Sequence, residues 1–275
     1  MTTRKTILIT GCSSGIGAAL AQEFHKRGHR VFASARRIES LAALAAQGLS
    51  TLALDVTDDA SIAIAVAALQ GETGQLDLLI NNAGYGQFGA VMDAQPEDLR
   101  RQFETNVFAP VALSRAALPL LRRSKAACIA NMGSISGIAT TPFAGVYCAS
   151  KAALHALSDA MRMELAPLGV RVVTIQPGGI VSSFGDTGAT HVTLPPGSLY
   201  TPISRFVLGR AKLSQRGATP VADFAREVAD HLLRADPPAI CRSGAQSTRL
   251  PLLKRWLPTR VLDRKLQKMF GLDQL

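Results

Sequence analysis

Seven short apolar runs alternate with alanine-rich stretches of helical length, and this alternation constrains the chain more than any other feature. The runs fall near residues 5–10, 30–35, 50–55, 77–81, 126–132, 171–176 and 238–242. Helix-forming segments lie between them, near 15–27, 58–70, 96–122, 146–166 and 220–235. Parallel strands need a long crossover, usually a helix, so the pattern predicts an α/β fold: a doubly wound parallel sheet of about seven strands with helices on both faces. The 275 residues suit one large domain, and 47% hydrophobic content is enough to fill its core. The longest break, 182–219, mixes Gly, Pro, Ser and Thr and reads as a substrate loop or lid. The expected organisation is a domain over 1–245 with a basic extension of the same domain, 246–275.

A net charge of +10 invites a nucleic-acid reading, but its placement argues against one. Residues 242–275 carry eight basic side chains against two acidic ones, so +6 of the total sits in the tail. No nucleic acid is expected as a partner. No apolar run approaches the ~18 residues of a membrane span, and Ile7 to Thr10 is too short for a signal peptide. Cys12, Cys128, Cys148 and Cys241 are scattered without metal-ligand spacing. No metal is expected, and the thiols read as structural ones in a reducing, cytoplasmic setting.

Thr10-Gly11-Cys12-Ser13-Ser14-Gly15-Ile16-Gly17 follows the first strand and opens the first helix. Glycines there let the backbone turn sharply and approach a pyrophosphate, whose charge the helix N-terminus stabilises. The spacing is Gly-x-x-x-Gly-x-Gly, not Gly-x-Gly-x-x-Gly, yet its place in a strand–turn–helix unit predicts a dinucleotide site of Rossmann-like type. At the end of the second strand, where an acid would bind a ribose 2′-hydroxyl, the chain has Ala35 followed by Arg36 and Arg37. Arginine pairs a 2′-phosphate through two donors, so NADP(H) is preferred over NAD(H).

Tyr147 and Lys151 stand four apart on an expected helix and so share a face. A phenol exchanges a proton with an alcohol or carbonyl, and the ammonium is expected to draw its pKa down from ~10. By itself the spacing also fits two ordinary helix-surface residues.

Together these segments resemble the classical short-chain dehydrogenases/reductases over roughly residues 5–185. Thr10 to Gly17 is similar to the family's glycine motif, Asp55-Val56 to its adenine-contacting pair, and Asn81-Asn82-Ala83-Gly84 to its signature after strand four. Asn106-Val107 is similar to the segment bearing the catalytic asparagine. Ser134, thirteen residues before Tyr147, stands where the catalytic serine commonly does, and is preferred over Ser136 because it directly follows the strand end. Pro177-Gly178-Gly179-Ile180-Val181-Ser182 resembles the segment that binds the nicotinamide carboxamide, with serine where threonine is commoner. Ser134 to Ser136, Pro142-Phe143 and Tyr147 to Lys151 look most like hydroxysteroid and retinol dehydrogenases.

The resemblance implies catalytic roles for Asn106, Ser134, Tyr147 and Lys151, with Ser134 and Tyr147 also meeting substrate. It implies cofactor contacts from Gly11, Ser13, Ser14, Gly15, Ile16, Gly17, Arg36, Arg37, Asp55, Val56, Asn82, Ala83, Gly84, Tyr147, Lys151, Pro177, Gly178, Ile180 and Ser182. The implied reaction is NADP(H)-dependent hydride transfer between an alcohol and its ketone or aldehyde. The alternative is a catalytically idle dinucleotide-binding regulator, because fold alone does not prove chemistry. Presence of all four catalytic groups argues for the enzyme. The resemblance also implies a homodimer or homotetramer through helices 96–122 and 146–166, where Ala152, Ala153 and Ala156 permit close approach.

His155 reads as a packing or interface residue, His191 as a lid residue, and Asp58-Asp59 as helix N-terminal charges. Phe88, Phe143, Phe184, Tyr200 and Phe206 fall in or near loops expected to face substrate, which points to an apolar one. In the tail, Pro258 and Gly271 bracket a helix whose Val261, Leu262, Leu266, Met269 and Phe270 form a stripe. Two readings stay open for it: a helix packed on its own subunit near the substrate entrance, or a weak peripheral contact with anionic membrane.

Overall fold

Odd and even positions of a strand point to opposite faces of its sheet, and here both faces are apolar. The computed structural model describes residues 4–275. The chain begins with β1 (Thr6–Ile9), α1 (Gly15–Lys26), β2 (Arg30–Ala35), α2 (Ala42–Ala45), β3 (Ser50–Ala53), α3 (Asp59–Thr73) and β4 (Leu78–Asn81). It continues with β5 (Phe88–Gly89), α4 (Pro96–Phe103), α5 (Ala109–Leu121), β6 (Cys128–Met132), α6 (Gly145–Leu165) and β7 (Arg171–Pro177). The last third holds α7 (Phe184–Ala189), β8 (Val192–Thr193), α8 (Ser204–Leu213), α9 (Val221–Leu232), β9 (Ile240–Ser243), α10 (Arg249–Trp256) and α11 (Thr259–Met269).

Seven strands form one parallel sheet in the order β3-β2-β1-β4-β6-β7-β9. Ile7 and Ile9 face a core shared with Leu20 and Phe24 of α1 and Phe224 and Val228 of α9. Leu8, between them, faces the other core with Ile62 and Leu69 of α3 and Leu113 and Leu120 of α5. Each such side chain contributes roughly 1.5–3 kcal/mol by leaving water. The chain steps outward in one direction from β1 to β3 and in the other from β4 onward. The crevice between the carboxyl ends of β1 and β4 is therefore the switch point where ligands of open parallel sheets bind.

Three stretches depart from the sequence reading. The helix expected over 96–122 is broken by a π-helical turn, Glu104–Phe108, between α4 and α5. Residues 182–219 are not loop throughout: they hold α7, β8 and α8, and β8 pairs with β5 in a second, two-stranded sheet. The tail carries α10 as well as the expected helix, which is α11, with Gly271 left-handed (φ +70°) just beyond its end. Leu266 and Phe270 pack with Phe143, Ile203 and Val207, as the packed-helix reading requires. Leu252, Leu253, Trp256, Val261 and Met269 stay exposed on α10 and α11. Among the described residues no helix is long and apolar enough to cross a membrane.

Candidate active site

The turn after β1 is tied to the segment after β4 by one hydroxyl. Thr10 Oγ1 accepts the Asn82 and Ala83 N–H groups at 3.0 and 2.9 Å, and the Asn82 amide donates to the Thr10 carbonyl at 2.8 Å. Gly11 is left-handed (φ +72°), and a Cβ there would stand 2.8 Å from Ala83 Cα. At Gly17 a Cβ would run into the Gly11 carbonyl and come within 2.6 Å of the Asn82 amide. Ser14 precedes α1 without capping it, because its hydroxyl meets Ser183 Oγ at 2.9 Å, and the first turn holds no acid. The N–H groups of that turn are thus left for an anion, as a pyrophosphate needs. Ser13 and Ser14 are exposed and Gly15 and Ile16 half-buried, so the rim of the turn is open.

Arg36 and Arg37 are exposed at the end of β2, and buried Ala35 leaves no acid there. Asp55 accepts the Thr57 N–H and hydroxyl at 2.9 and 2.7 Å. Burial pushes its pKa up, but the Thr57 bonds and the charge of Arg36 outweigh that and lower it. Val56 is buried beside it. Across the crevice, Pro177 ends β7, Gly178 lies against the Ala245 carbonyl, Ile180 is buried, and Ser182 Cβ is 3.4 Å from where a Gly15 Cβ would be. These residues suit a dinucleotide lying over the carboxyl ends of β1 and β4.

Ser134, Tyr147, Lys151 and Asn106 converge beyond the end of β6. Lys151 Nζ donates to the Met132 carbonyl at 2.7 Å and lies 5.9 Å from the centre of the Tyr147 ring. Ser134 faces the Tyr147 phenol and pulls its pKa down, and its Oγ accepts the Ser136 N–H at 3.1 Å, so Ser136 supports the turn. Asn106 sits in the π-helical turn, a feature that re-aims side chains at functional sites. Its amide accepts the Tyr85 N–H at 3.2 Å and donates to the Tyr85 carbonyl at 3.0 Å and Ser150 Oγ at 3.2 Å. Gly84 faces Asn106 Oδ1 and Lys151 Nζ with no side chain between.

Electrostatics here differ from the sequence expectation. Burial pushes the Tyr147 phenol up to about 12, against the pull of Ser134 and the charge of Arg210. Burial brings the Lys151 ammonium down to about 8. The phenol is therefore not drawn down by Lys151, because the cost of a buried phenolate outweighs the nearby charges. The cover is aromatic: Phe184 and Phe88 stand 5.5 and 6.0 Å from the Tyr147 ring centre. Phe143 and Tyr200 belong instead to the lid–tail cluster with Phe270, which Phe206 flanks, and His191 packs against Tyr85 with the rings tilted and their centres 4.9 Å apart.

His155 does more than pack. Its Nε2 accepts the Ser134 N–H at 3.3 Å, and its ring fills the space that side chains at Gly133 and Gly137 would need. Burial and the nearby Lys151 hold it neutral, with a pKa down to about 4, so the acceptor persists at neutral pH. Asp58 caps α3 by accepting the Ala60 N–H at 3.0 Å, as its sequence position implied.

A doubly wound parallel sheet with an uncapped glycine turn at its switch point defines a nucleotide-binding α/β protein. The short chain dehydrogenase family profile matches residues 5–190, and the chain belongs to that oxidoreductase family. It is 37% identical over 276 residues to a short-chain dehydrogenase/reductase of Pestalotiopsis microspora, covering 98% of this chain and 95% of that one. It is 38% identical over 213 residues, 76% of this chain and 72% of the other, to the NADPH-dependent 1-acyldihydroxyacetone phosphate reductase of Schizosaccharomyces pombe. A short-chain dehydrogenase structure from Streptomyces avermitilis superposes with a TM-score of 0.81 at 27% identity, covering 100% of this chain and 98% of that one.

Proposed function

We propose that the protein is an NADP(H)-dependent carbonyl reductase or alcohol dehydrogenase acting on an apolar ketone or aldehyde and its alcohol. The observation that carries this reading is the convergence of Ser134, Tyr147 and Lys151 beside the glycine cradle. NADPH supplies the hydride when bound. Tyr147 gives a proton to the carbonyl oxygen, and Ser134 donates a hydrogen bond to the same oxygen as negative charge develops. Lys151 orients the nicotinamide ribose and, as the cation beside the Tyr147 ring, favours the phenolate against the cost of burial. Asn106, held by Tyr85 and Ser150, keeps a water path between Lys151 and solvent. Arg36, helped by Arg37, pairs the 2′-phosphate, and the NADPH dependence in the name of the Schizosaccharomyces relative supports that preference.

Buried Cys12, Cys128, Cys148 and Cys241, all free, suit a reducing compartment such as the cytoplasm. Exposed Phe108 and Met163, with exposed Ala152 and Ala156, suit a homodimer face formed by the π-helical turn before α5 and by α6. Light scattering at micromolar concentration that returned 29.1 kDa would exclude it. Exposed Trp256, Leu252 and Leu253 beside Lys254 and Arg255 favour a further, weak contact with anionic membrane. Flotation with anionic vesicles tests it, and failure to float at low salt removes it.

The decisive experiment is NADPH oxidation screened over ketosteroids, retinal, aliphatic aldehydes and small ketones. Turnover of at least one class is expected, with kcat/KM higher for NADPH than NADH and reversed toward NADH by Ala35→Asp with Arg36→Ala. NADPH binding without turnover of any class would favour an idle regulator.

A further inference from the structure

Arg210, on α8, is a cation without a counter-ion. It is 8% exposed, and among the described residues no carboxylate stands within ion-pair distance of it. One Nη donates to Thr141 Oγ1 at 2.7 Å, while Nε is buried with no acceptor. The guanidinium carbon lies 5.4 Å from the centre of the Phe88 ring and 5.7 Å from that of Phe270. The acids that face it are the Tyr147 phenol and the Cys148 thiol, and burial keeps both protonated near pH 7. A buried charge left in this state is costly, and aromatic faces return only part of the cost. Packing alone would be served by an uncharged side chain of similar length.

We propose that Arg210 receives an anionic group, a carboxylate or a phosphate, carried by an otherwise apolar substrate. This rests on the reading of Tyr147 as the proton donor to that substrate. A guanidinium presents parallel N–H donors that match either anion, and here Nε has no partner while its neighbouring Nη holds only the Thr141 hydroxyl, which an anion can displace. Phe88 adjoins both groups, since its ring centre is 6.0 Å from that of Tyr147 and 5.4 Å from the guanidinium carbon. An anion and a carbonyl on one short molecule are thus within reach of Arg210 and Tyr147 together. The apolar remainder would lie along the aromatic wall.

The test is calorimetric titration of the full chain, loaded with NADP+, using octanoate, octyl phosphate and octanol. At least one anion should bind about tenfold or more tighter than octanol, and the ratio of octanoate to octyl phosphate identifies which anion fits. Arg210→Met should erase that advantage while octanol and NADP+ bind as before, and Arg210→Lys should restore part of it. Failure of both anions to bind, equal binding of all three ligands, or an advantage that survives in Arg210→Met would overturn the proposal. Loss of NADP+ affinity in Arg210→Met would overturn it too, by assigning the arginine to the cofactor. If Arg210→Met does not fold, the unmodified protein and Arg210→Lys still decide. No turnover is needed, so a protein that captures an anion through Arg210 yet reduces no carbonyl would sink the reductase reading alone.

Discussion

Around Gly17 the chain is packed to contact, whereas Gly209, on the lid helix α8, has nothing within 4 Å of where a Cβ would stand. The contrast extends beyond two glycines. The strands beneath the crevice are buried residue after residue, while lid and tail leave Leu199, Leu208, Trp256 and Met269 exposed. One region is fitted side chain against side chain around the glycine turn. The other is held by small aromatic clusters and a two-residue strand pair, tight at Gly188 and Gly271 but open at Gly209 and on its outer face.

If the chemistry belongs to the fitted region, Tyr147→Phe should lower kcat by ~10²–10⁴-fold. NADPH affinity and lid packing should be nearly unchanged, because the ring and its contacts with Phe184 and Phe88 remain. Retention of more than about a hundredth of kcat would remove Tyr147 as the general acid.

Acid should strain the same region through His155. Its pKa is lowered to about 4 in the fold against an ordinary 6.5, so the unfolded chain takes up the proton first. Stability should therefore fall as pH drops from 6.5 to about 4, by ~3 kcal/mol at most for this group. His155→Gln keeps an acceptor for the Ser134 N–H without titrating, and thermal melts across that window should show a shallower slope. An unchanged slope would place the acid sensitivity elsewhere.

Gly17→Ala and Gly209→Ala set the two regions directly against each other. The first forces a methyl against the Gly11 carbonyl and the Asn82 amide and should cost about 1–3 kcal/mol, with weaker NADPH binding. The second adds a methyl in open space on a helix and should gain up to ~1 kcal/mol locally. Equal destabilisation by both, measured in denaturant melts, would abolish the distinction between fitted core and more open lid.

Much of the fitted region was legible because its signals are local. Strands announce themselves as β-branched and leucine runs, Tyr147 and Lys151 follow from helix period, and Ser134 follows from the resemblance to the family. His155 was not legible as a support for Ser134, since that role exists only where α6 crosses Gly133 and Gly137. The helix α7, Phe-Gly-Asp-Thr-Gly-Ala, has poor intrinsic propensity and forms because Phe184 and Ala189 join a cluster with Phe88 and Ala211. Pro251 within α10 likewise hides that helix from a propensity reading, and it is tolerated in the first turn. Arg210 resembles any helix-surface arginine until the absence of a partner becomes visible in space. The direction of the Tyr147 shift failed for the same reason, since spacing reports Lys151 but not the rings that exclude water.

Phe184 makes the protein its own first ligand. Its ring lies 5.5 Å from that of Tyr147, so on the proposed chemistry binding is an exchange of one apolar surface for another. Affinity then reports the difference between substrate and Phe184 in that place, scaled by the fraction of molecules with the ring withdrawn. Ligands that only match its bulk gain little, while those bringing something the phenylalanine lacks are selected.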